Sequence, residues 1–324
     1  MICEKIIPFR SVDIEVQMSL EERHRPIHVD QWIEEGFTLI PNFFTQAEIE
    51  PIIADFEELY QDRGKGEGVG VPLDKKEEGA IGAGHPKQFM NIDSLPYNAS
   101  AATNLISLHP ALISFAKALL GVEEVHLYQS HTWAKYTGEA DYDQAFHCDF
   151  GNHTLTVPSD DVALRTVDFI FYFTDVTDAH GPLNYVTKTD SDKLLGKGSV
   201  FARDDQQLAL KKMERSAAAP AGSLLAHSID TFHRGTNLTE INGNRFTMTV
   251  GYKASGNEMI GFHVWQSAAD RPWPIVLNNA TPSQLQCIGI PLPGDLFWTE
   301  RTLRLTQLRW PDWDMSLYKP SIRN

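Results

Sequence analysis

Ala145-Phe146-His147-Cys148-Asp149-Phe150 sets a histidine and a carboxylate one residue apart inside an apolar, aromatic stretch. On a strand, side chains two apart point to one face, so His147 and Asp149 can grip a single ion while Cys148 turns away. One short element then offers two ligands, and a third has to come from a distant part of the chain. A strand also needs neighbours to pair with, so this stretch bears on the fold as well as on the chemistry.

Those neighbours are legible on both sides. Residues 125–136, 167–174, 223–226 and 246–252 are rich in β-branched and aromatic residues and predict strands. A Gly181-Pro182 turn and a charged, helix-like segment from Lys188 to Arg215 separate them. Upstream the texture is helical. Asp30 is expected to cap a short helix, Gln31 to Glu35, stopped by Gly36 before a strand Phe37 to Pro41. Thr45 caps a longer helix whose apolar positions Ile49, Ile52, Ile53, Phe56 and Leu59 follow a 3.6 period. Pro110 opens another, Ala111 to Leu120, closed by Gly121. Helices first and short strands afterwards predict a mainly β fold, a sandwich or jelly roll with N-terminal helices packed outside.

A single domain spanning 1–324 is expected, with residues 30–253 as the jelly-roll core and 254–324 as an extension rich in Trp and Pro. The extension contains Trp265, Trp273, Trp298, Trp310 and Trp313 and a helix starting at Thr299 and running to about Leu308. It reads as a tail wrapped on the domain, or as a pocket wall or dimer interface. Gly64 to Pro86 is Gly, Lys and Glu with few large apolar residues, and reads as a mobile loop, either a lid or a disordered excursion.

The net charge is -15, from 28 Lys and Arg against 43 Asp and Glu. Such a balance argues against nucleic acid or an anionic membrane as a general partner. No window approaches the ~20 apolar residues expected of a membrane helix. The three cysteines, Cys3, Cys148 and Cys287, form no CxxC pair and read as reduced thiols, which with the charged N-terminus predicts a cytoplasmic protein. A homodimer is the simplest assembly for a chain of this size.

His-x-Asp alone is a weak signal, since His28-Val29-Asp30 repeats it ahead of a helix, where Asp30 is better explained as a cap. The copy at His147 and Asp149 is followed by His233, at the polar corner of the strand Ser223 to Ala226. His227 is the rival, closer to the middle of that strand. His233 is preferred because Arg245-Phe246-Thr247 opens the next strand after the turn Asn242-Gly243-Asn244. Arg245 and Thr247 share one face there and can converge on an anion, which a buried guanidinium needs. Two histidines and one carboxylate make the facial triad suited to non-haem Fe(II), with three adjacent positions left open. 2-Oxoglutarate fits two of them, its far carboxylate reaching Arg245, and O2 the last. Each histidine taken singly reads better as a core or corner residue; the ordered set of four points to oxygenase chemistry.

These residues, together with the entry Trp32-Ile33-Glu34-Glu35-Gly36-Phe37-Thr38-Leu39-Ile40-Pro41-Asn42-Phe43-Phe44 and the strand Leu127 to Lys135, resemble the phytanoyl-CoA dioxygenase family of Fe(II)/2-oxoglutarate-dependent oxygenases. The resemblance implies a double-stranded β-helix, a cupin-like jelly roll with flanking helices. It implies His147, Asp149 and His233 as catalytic metal ligands and Arg245 as the partner of the distal carboxylate. It adds Gln129 and Lys135 as pocket-lining candidates. After Gly181-Pro182-Leu183 the family usually has a Pro-Gly-Ser-His-like turn, where this chain reads Thr187-Lys188-Thr189-Asp190, so the substrate region departs from the pattern. Related halogenases carry a small residue where Asp149 stands, so the resemblance implies transfer of oxygen, desaturation or cyclisation rather than halogenation; hydroxylation of a small organic molecule, with release of succinate and CO2, is the expected reaction. The competing readings are a jelly roll that only binds a small molecule, and a metal-dependent oxygenase that does without 2-oxoglutarate.

Overall fold

Alternation along one strand organises the core. In β9 (Asn244–Ala254), Phe246, Met248, Val250 and Tyr252 are buried against helices, while Arg245, Thr247, Thr249 and Gly251 occupy the opposite, inner face. The computed structural model describes residues 23–60, 92–94, 97, 99–137, 143–260, 277–278, 282 and 290–319. The expected loop from Gly64 to Pro86 lies outside the described residues, as do Trp265 and Trp273.

Pairing on both sides of β9 builds a six-stranded antiparallel sheet. It runs β1 (Phe37–Ile40), β7 (Leu224–Ser228), β4 (Thr166–Tyr172), β9, β3 (Val125–Tyr136), β2 (Ile92–Ser94). A second sheet is small, in the order β6 (Arg215–Ser216), β5 (Leu183–Tyr185), β8 (His233–Gly235). Facing each other, the two make a jelly roll. Between them lies an apolar plug of Phe37, Tyr172, Tyr185 and Leu225, with the Phe37 and Tyr185 rings stacked 3.5 Å apart.

The outer face of the large sheet is closed by helices. In α2 (Gln46–Tyr60), Ile49, Ile52, Phe56 and Tyr60 are buried, and in α4 (Pro110–Leu120), Leu112, Phe115 and Leu119 are. They meet Phe169, Phe171, Phe246 and Met248 in one cluster, and each such side chain contributes about 1.5–3 kcal/mol by leaving water. Between α2 and α4 comes a short helix, α3 (Ala101–Leu105). Ala102–Leu120 is long and apolar enough to cross a membrane by length and composition alone, but it spans α3, a 3-10 turn and α4, and half of it is buried inside the fold.

The first helix departs from expectation. α1 runs Pro26–Glu35, five residues earlier than the capping reading of Asp30 predicts, because proline in the first turn loses no helical hydrogen bond. Asp30 lies inside the helix, and His28 Nδ1 accepts from the Arg25 amide at 3.0 Å. Gly36 ends α1 at φ 77°, and its carbonyl accepts from the Ser228 amide (2.9 Å) and the Thr231 hydroxyl (2.6 Å). That close approach, where a Cβ would collide with the Thr231 hydroxyl, ties the helix to the turn that precedes His233.

Candidate metal centre

His147 does not lie on a regular strand. It forms an isolated antiparallel bridge with His233, each residue's amide donating to the other's carbonyl at 3.0 Å. The free edge of this segment is covered by Gln207 from α7 (Asp204–Lys211), the partner of α6 (Lys188–Leu195) in the charged segment. Its side-chain amide accepts from the Phe146 amide (2.7 Å) and donates to the Phe146 carbonyl (3.1 Å), as a neighbouring strand would.

Past the bridge the chain turns. Asp149 has φ -73° and ψ -11° and stands as N-cap of a short helical turn, α5 (Phe150–His153), yet its carboxylate makes no capping bond. Strand geometry would hold residues two apart at about 7 Å. The turn instead brings Asp149 Oδ1 to 3.4 Å from His147 Nε2, and Oδ2 to 3.2 Å from His233 Nε2. Cys148 faces away and is buried with Phe146, Phe150, Ile229 and Phe232, as its position in the motif predicts.

The three donor atoms lie within 4.8 Å of one another, and the set His147, Asp149, His233 can hold a metal ion. Both rings are oriented for it. His147 Nδ1 pairs with the Ala145 carbonyl at 2.8 Å and His233 Nδ1 with the Thr231 carbonyl at 3.0 Å. A ring nitrogen facing a carbonyl carries the proton, so each Nε2 presents its lone pair to the common point. Burial alone would raise the Asp149 carboxyl, but His233 and His147 hold it well below the ordinary carboxylate range. His233 is lowered by burial and raised more by Asp149, for a net upward shift. A donor set of two imidazoles and one carboxylate fits non-haem Fe(II).

His227 sits behind this cluster. Its ring lies 4.7 Å from that of His233, and burial, then His233, pull its pKa down to about 4. It is a neutral, buried neighbour of the ligand set.

The inner face of the large sheet supplies the wall. Gln129, Lys135, Arg245 and Thr247 all lie on it, spread along the strands. Gln129 pairs with Gly251 at the end shared by Asp168 and His227, whereas Lys135 and Arg245 are directly opposite each other at the far end. Beside them the Tyr172 hydroxyl is pushed up to about 12 by burial, against the opposing pull of Arg245. The Thr247 hydroxyl donates to the Trp133 carbonyl at 3.2 Å, and Lys135 Nζ reaches the Thr236 carbonyl at 3.4 Å.

A polar network at the histidine end has no counterpart in the sequence reading. A bulge between Leu127 and Gln129 turns Tyr128 inward beside Gln129. The Tyr128 hydroxyl donates to Asp168 Oδ1 (2.7 Å) and meets His153 Nδ1 (2.5 Å); Gln129 Nε2 donates to the same Oδ1 (2.7 Å), and the Thr166 hydroxyl to Oδ2 (2.9 Å). Gly251 makes the room, since a Cβ there would lie 2.5 Å from the Tyr128 ring. One charge in the apolar run Val167-Asp168-Phe169 was the available signal for Asp168; the bulge left none.

The family model described as phytanoyl-CoA dioxygenase (PhyH) matches residues 32–241. No curated protein matches. Among solved structures, the non-heme α-ketoglutarate-dependent carbocyclase SnoK from nogalamycin biosynthesis is similar at 18% identity, covering 72% of this chain and 85% of that one, with a TM-score of 0.52. The epimerase SnoN in complex with Fe3+, α-ketoglutarate and nogalamycin RO is similar at 15% identity, covering 74% and 84%, with a TM-score of 0.50. At these identities the likeness is one of fold. A family match over well more than half of the sequence, on a jelly roll whose two-histidine, one-carboxylate cluster suits iron, establishes that the chain belongs to the phytanoyl-CoA dioxygenase family of iron- and 2-oxoglutarate-dependent oxygenases.

Proposed function

We propose that the protein hydroxylates a small organic molecule, with His147, Asp149 and His233 as the iron ligands and Arg245 as the partner of the 2-oxoglutarate far carboxylate. The observation that carries the ligand assignment is the pair of Nδ1-to-carbonyl contacts, which aim both Nε2 atoms at the Asp149 carboxylate. Iron with 2-oxoglutarate and O2 supplies an oxidant able to break an unactivated C–H bond, releasing succinate and CO2.

The chain's own residues bind, orient and shield. With iron bound, Asp149 would neutralise part of the cation's charge and leave no ligand place free for a halide, which favours hydroxylation over halogenation. Lys135 and Arg245 stand directly opposite each other with Thr247 next along the same face, so three groups able to donate to a carboxylate lie together at that end of the barrel. Asp168, holding Gln129 and Tyr128, fixes the polar wall at the other end. Its carboxylate makes that end unsuited to a polyanionic substrate and suited to a neutral or cationic one. SnoK and SnoN belong to the biosynthesis of one small molecule, nogalamycin, which is consistent with a substrate of that size class.

Anaerobic calorimetric titration of 2-oxoglutarate into the Mn(II)-loaded protein tests the binding roles. Wild type is expected to bind, and Arg245→Ala to weaken binding about 100-fold or more, the cost of leaving a buried carboxylate unpaired. Asp149→Ala and His233→Ala are expected to lose the metal. Absence of 2-oxoglutarate binding to wild type would favour a jelly roll that only binds its ligand, and succinate release on a substrate screen with Fe(II) tests turnover.

A further inference from the structure

The C-terminal helix α8 (Glu300–Arg309) lies outside the stretch matched by the family model, yet it contacts the loop that follows Asp149 at both of its ends. At its start, the Thr299 hydroxyl and Arg301 Nη1 hold the two carboxylate oxygens of Asp160 at 2.9 and 2.8 Å, and Arg301 also donates to the Pro158 and Gly198 carbonyls. At its end, Arg309 Nη2 donates to the Gly151 carbonyl (2.9 Å), and Nη1 to those of Thr154 (2.5 Å) and Thr156. Trp310 Nε1 donates to the Leu155 carbonyl at 2.8 Å. The Arg309 guanidinium lies over both the Phe150 and the Trp310 ring, 5.1 Å from each centroid.

All the hydrogen-bond acceptors of Arg309 are backbone carbonyls, and among the described residues it has no carboxylate partner. A planar fork of donors satisfies several carbonyls of one irregular loop at once, which a lysine ammonium cannot do from a single point. Burial pulls this guanidinium down to about 9, which leaves it charged at neutral pH. A half-buried cation whose donors go to backbone oxygens next to the Asp149 turn does more than fasten a tail, because the Phe150 it stacks on is the residue after Asp149 and Gly151 is the next.

We propose that Arg309 is a positioning residue for the metal centre: it holds the turn 150–156 so that the Asp149 carboxylate faces His147 and His233. The inference rests on the ligand assignment made above. It assigns the C-terminal helix a role in metal affinity that the jelly roll alone does not supply.

Co(II) titration, followed by the visible absorption of the bound ion, and hydrogen exchange of the metal-free protein test it together. Arg309→Gln is expected to weaken Co(II) binding about 10-fold or more, as loss of supports behind metal ligands typically does. Its amides at 150–156 should exchange faster while those of β3 and β9 do not change. Arg309→Lys, which keeps the charge but not the fork, should fall between Gln and wild type. Arg301→Gln, which acts at the other end of α8, should bind Co(II) within twofold of wild type. Wild-type affinity and spectrum in both Arg309 variants would overturn the proposal, and so would faster exchange spread equally through β3 and β9. If the Gln variant fails to fold, the Lys variant decides by the same criteria. Should wild type bind Co(II) no better than Asp149→Ala, the ligand assignment itself fails, while exchange at 150–156 still reports whether Arg309 holds the turn.

Discussion

Asp230→Asn gives a sharp test of how His233 is delivered. Asp230 sits in the turn between β7 and β8, and its side chain is only 8% exposed. Its Oδ1 meets Lys188 Nζ at 2.7 Å and accepts from the Ser228 hydroxyl at 2.6 Å, and its Oδ2 meets Arg165 Nη1 at 3.1 Å. One carboxylate therefore neutralises two largely buried cations. Removing its charge leaves both uncompensated, at a cost of about 3–5 kcal/mol. Unfolding entropy of ~2.1 cal/mol/K per residue converts this into a fall in Tm of roughly 4–7 °C for a chain of 324 residues.

The pH dependence follows from two opposite shifts. Burial pushes the Asp230 carboxyl up, but Lys188 and Arg165 hold it well below the usual range, so its stabilisation is present above its unfolded pKa of about 3.9 and is lost as pH falls through the folded value. Burial lowers Lys188, with Asp230 opposing. Without Asp230 the lysine is depressed further, and the penalty it adds is relieved as pH rises toward its unfolded value of about 10.4. The gap in stability between wild type and Asp230→Asn should thus be widest near neutrality and narrow toward both pH 3 and pH 10. Urea unfolding of the metal-free proteins across that range measures it. Equal stability at pH 7, or a gap independent of pH, would refute the reasoning.

Three further substitutions probe the walls of the site. Gly251→Ala places a Cβ 2.5 Å from the Tyr128 ring and 2.7 Å from Gln129 Cγ, an overpacking cost of about 1–3 kcal/mol. Combined with Tyr128→Leu, that cost should shrink in urea unfolding, whereas strict additivity would mean the two sites do not touch. His227 is neutral in the fold with a pKa of about 4, so acidification from its unfolded 6.5 toward that value should remove up to about 3 kcal/mol that His227→Gln does not lose. Parallel stability–pH curves for the two proteins would contradict this. Gln207→Ala strips both side-chain bonds from the Phe146 backbone, costing about 1–3 kcal/mol and weakening Co(II) binding; unchanged affinity would show that the edge of the His147 segment needs no cover.

The long elements were legible because their signals are local. Thr45, Pro110 and Gly121 marked helix ends, and β3 and β9 alternate over enough residues to fix which side faces the helices. The closeness of His147 and Asp149 was legible for a partly mistaken reason. His147 and Asp149 converge through a turn whose conformation depends on contacts from Ile229, Gln207 and Arg309, none of them near in sequence. Similarly, Asp30 has the residue type of a cap, but Pro26 starts the helix one turn upstream and places Asp30 inside it. The Tyr128–Asp168 network was out of reach, since a bulge is a property of pairing between strands and leaves no mark on either one.

The two sheets differ in how far they hold themselves together. β3 and β9 are 12 and 11 residues long and backed by a helix-covered core, whereas β5, β6 and β8 have 3, 2 and 3 residues. Strands that short supply few ladder bonds of their own, so the His147 and His233 segments depend on side chains borrowed from elsewhere: Gln207 on the edge, Asp230 in the preceding turn, Arg309 over the following loop. Local opening on this side should therefore precede global unfolding. Variants at these three clamps should lose metal affinity by larger factors than equally destabilising variants in the helix-packed face, such as Phe169→Leu. A common dependence of metal affinity on global stability across both groups would show that the small sheet and its clamps open only with the whole fold.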